Sequence, residues 1–192
     1  IQQSAQDKLT NLSIKEKQLN IEKMSATEIA EKMVSENIET TIENETCSSI
    51  TTSARPSTTA TIRKAFEIED RLYMSISNKL GKKYLCHQNV RIHNQEYDII
   101  AESIDSSPDI LYEIKYFPRD ISLAKISSIF EQTKERGKRY KENTNRDYQL
   151  RIIIVTSDEG LPRLNSKISQ HDFSFNNEII NLEIFSENFL PQ

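Results

Sequence analysis

The sequence predicts an α/β fold: a mixed central sheet flanked by helices, with a helical N-terminal extension. Three observations predict it. From about residue 59 onward, segments of helical and strand period follow one another as helix, three strands, helix, strand. Leu150–Thr156 is a nearly unbroken apolar, β-branched run, the pattern of a strand buried on both faces. Residues 46–58 are rich in Ser and Thr, have no period, and separate this part from a Lys- and Glu-rich pattern over 1–45.

The extension comes first. Leu9, Leu12, Leu19, Met24, Ile29, Met33, Val34, Ile38 and Ile42 recur at helical spacings with charged residues between them. Ser25-Ala26-Thr27-Glu28 has the form of a capping box, so a break and a second helix are expected near Thr27. A single apolar stripe cannot be stable alone. Two roles are open: oligomerisation helices, or a linker from an upstream domain missing from this chain. The chain opens on Ile and not Met, which suggests a fragment or a processed piece.

After the 46–58 linker, a domain is expected over 59–192. A helix should run from about Thr59 to Leu80 on the stripe Ile62, Phe66, Leu72, Tyr73, Ile76, Leu80, closed by Gly81. Glu69 falls inside that stripe, where an acid needs a partner. Strands follow at Lys83–Ile92, Glu96–Glu102 and Ile110–Tyr116, the first two joined by a turn at Asn94-Gln95. Pro118-Arg119-Asp120 breaks the chain, and Asp120 or Ser122 caps a helix reaching about Lys141. Its far end carries Lys134, Arg136, Lys138, Arg139 and Lys141, the most basic stretch of the chain. Leu150–Thr156 is a strand, 163–171 a weak helix or coil, and Ile179–Phe185 a last strand.

Charge and composition set limits. Net charge is −4, with nine acids against six bases in residues 1–60, so any nucleic-acid surface must be local. No apolar run approaches the ~20 residues that cross a membrane. Cys47 and Cys86 form no CxxC pair and read as reduced thiols of a cytoplasmic protein. His87, His93 and His171 are scattered and receive no role.

The chemistry-bearing residues sit on the hairpin. Asp98 lies on the second strand, while Glu113 and Lys115, two apart on the third, share one face. An acid on the opening helix, Asp on the second strand and Glu-x-Lys on the third resemble the PD-(D/E)xK nuclease superfamily, with its restriction-endonuclease-like core. Glu69, Asp98, Glu113 and Lys115 carry the resemblance. The helix leading to Gly81 is similar to that of Holliday-junction-resolvase-like and Mrr-like nucleases. The resemblance covers a little over half the chain. Tyr97 stands where the motif's proline would be. Pro108-Asp109 lies too close to Glu113 for a separate strand and reads as the turn into the third strand.

The resemblance implies Mg²⁺- or Mn²⁺-dependent cleavage of DNA, RNA not being excluded, by a homodimer. It implies a metal held by Asp98, Glu113, the Ile114 carbonyl and Glu69, and a Lys115 that serves the attacking water. It further implies that Gln132 helps hold Lys115 or the phosphate, and that the Lys134–Lys141 cluster meets the phosphate backbone. Each residue also has a plainer reading. Glu-x-Lys can be a same-face ion pair, Glu69 an edge carboxylate, and the basic stretch a solvated helix face. The whole fold can be an inactive scaffold or binding subunit.

Overall fold

The structure is a computed structural model, and it describes residues 21–32, 34, 58–170 and 180–191. A single six-stranded sheet forms the centre, ordered as in the sequence: β1 (Glu22–Lys23), β2 (Tyr84–Ile92), β3 (Gln95–Ser103), β4 (Asp109–Phe117), β5 (Tyr148–Thr156) and β6 (Ile180–Ser186). β1 to β4 run antiparallel to one another; β5 joins β4, and β6 joins β5, in parallel. The sheet is therefore mixed, as the sequence predicts.

Local chemistry explains the elements. Helix α2 (Thr58–Leu80) ends at Gly81, whose φ of 59° places it in the left-handed region that glycine enters without steric cost. His93 (φ 45°) and Asn94 (φ 64°) are both left-handed and turn β2 tightly into β3, the backbone of a primed hairpin turn. Of the two expected caps for helix α3 (Leu123–Thr144), Ser122 is the one used: its hydroxyl accepts from the Lys125 N–H at 3.2 Å. Residues 160–170 form a full helix, α4 (Gly160–Gln170), where the sequence predicts a weak helix or coil, and that only from 163 on. Leu164, buried against β5, supplies the tertiary contact that local pattern did not show.

The helices cover the sheet from both sides. Ile68, Leu72 and Ile76 of α2 pack on Ile99, Ala101, Tyr112, Ile114, Ile153 and Val155. The opposite face receives Ile126, Ile129 and Phe130 of α3 over Ile152 and Ile154, and Tyr140 over Ile100, Leu111 and Leu150. β5 is thus buried on both faces, as its β-branched run requires. Each such side chain contributes about 1.5–3 kcal/mol by leaving water.

The N-terminal part departs from a continuous helix. Residues 22–23 are extended and pair with Val90 and Arg91 as an edge strand. The break near Thr27 is real, and its capping box forms: the Ser25 N–H donates to Glu28 Oε2 at 2.8 Å, and the Glu28 N–H donates to Ser25 Oγ at 3.3 Å. The helix that begins there, α1, is described over 26–32 and 34. The remainder of the 1–45 expectation, the 46–58 linker apart from residue 58, and Cys47 lie outside the described residues. Among the described residues no helix is long and apolar enough to cross a membrane.

Candidate functional site

The β3–β4 register pairs Ala101 with Ile110, Ile100 with Leu111 and Ile99 with Tyr112, and then stops. Carried one pair further, it would set Asp98 opposite Glu113. The strands part there instead. The Ile114 N–H, released from the ladder, is met by the Asp98 side chain, whose Oδ2 accepts from it at 2.7 Å. The β2–β3 ladder has a gap at the same height. Gln88 pairs with Ile99 and Val90 with Tyr97, while Asn89 between them has a φ of 50°.

Strand alternation puts Glu113 and Lys115 on the sheet face that α3 covers, with Leu111, and Asp98 meets them at the opening, where Lys115 and Arg136 act on its charge. Asp98 is 1% exposed and Glu113 4%. Isolated carboxylates at that depth would be strongly unfavourable, so each must be compensated. Glu113 Oε1 faces the Lys115 ammonium at 2.9 Å, and its Oε2 pairs with the Arg136 guanidinium of α3. Asp98 Oδ1 pairs with the Lys32 ammonium of α1. Burial pushes the Asp98 carboxyl up, but Lys32, Lys115, Arg136 and the Ile114 N–H outweigh it and hold the group well below the usual carboxylate range. Tyr97 helps place Arg136, its hydroxyl donating to the Arg136 carbonyl at 3.3 Å.

The expected residues therefore fall into three groups. Asp98, Glu113 and Lys115 gather around the opening, with the Ile114 backbone between the two β4 residues. Arg136, expected on the phosphate backbone, reaches instead to Glu113. Gln132 lies one turn before it, exposed, its amide donating to Ser128 Oγ at 3.3 Å. Lys138 and Arg139 are exposed, Arg139 pairing with Glu135 at 3.1 Å; Lys141 pairs with Asp147, and Lys134 lies 3.7 Å from Glu131. Glu69 is buried at 6% exposure, but it belongs to α2, the helix that packs on the other face of the sheet. Among the described residues no three His, Cys, Asp or Glu side chains gather in a metal-holding group.

Two residues of the site had escaped the sequence reading. Lys32 was one of many lysines filling gaps in a helical pattern, with no local signal of its destination. Asn89 did carry a signal, since Asn is disfavoured inside strands and tolerates positive φ. It is buried, and its Oδ1 has no hydrogen-bond partner among the described residues.

Asp98 and Glu113 are the residues of this site whose side chains could ligate a small, hard divalent ion. Two buried carboxylates stand on adjacent strands, both matched by positive charge, and hard cations take oxygen ligands of this kind. They are two protein carboxylates, not three.

A second acid behaves differently. Asp109, expected as part of a turn, begins β4 and is fully engaged at the far end of that strand. It accepts from the Ser103 N–H at 2.7 Å, from the Tyr140 hydroxyl at 2.7 Å and from Arg146 Nη2 at 2.7 Å. This network ties β3, β4, α3 and the segment before β5 together.

Comparison with known proteins gives a distant likeness among solved structures. No family model matches the chain, and no curated protein matches it in sequence. Among solved structures, a repair endonuclease from Pyrococcus abyssi is similar over 74% of this chain, at 12% identity and a TM-score of 0.38. The aligned part spans 50% of that endonuclease, so the chain corresponds to about half its length.

Proposed function

We propose that the chain is a divalent-metal-dependent nuclease hydrolysing phosphodiester bonds in DNA, with Asp98, Glu113 and Lys115 as its centre. One observation carries the reading: two buried carboxylates and a lysine gather where the β3–β4 ladder opens. Such a gap in the sheet gives side chains room that a continuous ladder would not.

Asp98 and Glu113 would hold Mg²⁺ or Mn²⁺, with the Ile114 carbonyl as the nearest backbone donor. The bound ion would supply charge neutralisation at the phosphate and a more acidic water. The Lys115 ammonium, already beside Glu113, would orient the attacking water and stabilise the charge that grows on the phosphate oxygens. Arg136 would neutralise the same charge from α3. Gln132, exposed on the same helix one turn earlier, would meet a phosphate, and the exposed Lys138 and Arg139 would meet the backbone on either side. Glu69 would act only as an outer partner. A second copy would serve the second strand of a duplex.

The test is cleavage of plasmid DNA, branched DNA and RNA with Mg²⁺ or Mn²⁺. Lys115→Ala should lower the rate by about 10²–10³, the usual loss for one charge-stabilising donor, with the fold intact by circular dichroism. No cleavage of any nucleic acid together with no metal binding overturns the reading. A second reading has its own support, because all four oxygens of Asp98 and Glu113 are engaged by groups of the chain itself. Such compensation also fits a non-catalytic subunit that keeps the fold as a scaffold. Metal binding separates the two.

A further inference from the structure

Residues 21–32 dock on the sheet at the level of the site. Glu22 and Lys23 pair with Arg91 and Val90, and the Met24 N–H donates to the Asn89 carbonyl at 3.1 Å. Met24 is buried, and Ile21 packs on the cluster of Val90, Tyr97 and Tyr140. The capping box then starts α1, and Glu28 Oε1 pairs with Arg91 Nη1 at 3.0 Å. One turn on, on the same side of the helix, the Lys32 ammonium reaches Asp98 Oδ1, with its side chain only 8% exposed. The segment is thus clasped twice, at Arg91 and at Asp98, and its docking point is the left-handed Asn89 beside the gap in the sheet.

The two oxygens of Asp98 are then used by the Ile114 N–H and by Lys32. An ammonium and a dication cannot both sit on Oδ1, since like charges a few ångströms apart repel strongly in a buried place. We propose that residues 21–32 are an intramolecular plug: Lys32 holds the cation position at Asp98, and divalent-metal binding and docking of the segment exclude each other. This rests on the metal-site reading above and adds a gate to it. A ligand can shift such an equilibrium only by its preference for one state, and here the metal prefers the undocked one.

Calorimetric titration of the full chain with Mn²⁺ tests the gate without any activity assay. Lys32→Met keeps the stem and removes the charge; Glu28→Ala loosens the clasp at Arg91 and the capping box without touching the site. Both should bind Mn²⁺ more tightly than the wild type, Lys32→Met by about tenfold or more, a coupling of ordinary size between linked sites. Hydrogen exchange of the peptide over residues 21–32 should speed up when Mg²⁺ saturates the wild type. Equal or weaker Mn²⁺ affinity in Lys32→Met, or unchanged exchange at saturation, overturns the plug while leaving the metal site standing. Absence of binding in wild type and both variants overturns plug and metal site together.

Discussion

Asp98 takes the place of a missing backbone partner for Ile114: its Oδ2 accepts the Ile114 N–H at 2.7 Å where the β3–β4 ladder has ended. One carboxylate is therefore both a candidate ligand and a piece of the sheet. Removing it and neutralising it should have different consequences. Asp98→Ala leaves a buried N–H without an acceptor, whereas Asp98→Asn keeps a carbonyl there. Urea unfolding should show Asp98→Ala less stable than Asp98→Asn by about 1–3 kcal/mol. Both should lose divalent-metal affinity, and a metal titration checks that half of the expectation.

Tyr140 makes stability fall in alkali. Burial, and then the hydrogen bond to Asp109, push its phenol well above the ordinary value, so the folded state keeps the proton longer than the unfolded chain does. The resulting stability is fully present below about pH 10, where the free phenol titrates, and is lost as pH rises toward the folded value. Tyr140→Phe removes this dependence along with the hydrogen bond. At neutral pH it should be less stable than the wild type by about 1–2 kcal/mol, and the gap should narrow above about pH 10 in urea titrations.

Gly137 is buried in the middle of α3, where alanine would ordinarily favour a helix by about 1 kcal/mol. Here a Cβ would stand 2.6 Å from Tyr148 Cε2, 2.9 Å from its Cζ and 3.1 Å from Leu150 Cδ2. Tyr148 is itself held edge-on against Tyr140, with ring centroids 6.3 Å apart, and cannot swing away without breaking that contact. Gly137→Ala should lower stability by about 1–2 kcal/mol, read as a lower thermal midpoint. Pairing it with Tyr148→Ala should cost less than the two changes added, because the smaller residue makes room for the methyl group.

The basic end of α3 separates into two kinds of residue, and salt dependence should tell them apart. Lys138→Ala and Arg139→Ala should weaken DNA binding evenly across sequences, each reducing the salt slope by about one. Arg136→Ala should act mainly on the centre, since its guanidinium lies on Glu113: its larger effect should appear in metal affinity. Binding isotherms at several salt concentrations, with and without Mg²⁺, give both numbers.

Much of this was legible from sequence because it is local. The strand-like runs place β2 to β4, the unbroken apolar run places β5, the apolar stripes place α2 and α3, and Gly81 marks a helix end. Strand alternation alone puts Glu113 and Lys115 on one face. What escaped depends on long-range packing. The helix that carries Glu69, α2, and the helix α3 take opposite faces of the sheet, and a sequence does not say which side a helix will take. Asp109 reads as turn chemistry until Tyr140 and Arg146, over 30 residues away, converge on it. Lys32 joins Asp98 across 66 residues of chain. No helical pattern announces such a meeting.

β4 is paired with β5 along its whole length, but on its β3 side it is secured unevenly. Its first residue, Asp109, is bolted by the Ser103 N–H, Tyr140 and Arg146, and three ladder pairs with β3 follow before the two strands separate. Towards β3 the strand thus opens like a pair of tweezers hinged at Asp109, while its pairing with β5 holds Glu113 and Lys115 in register throughout. A residue inserted into the Ile104–Pro108 loop, outside the bolt, leaves the tip alone. One inserted between Asp109 and Glu113 turns the rest of the strand over, sending Glu113 and Lys115 to the α2 side and Ile114 to the site.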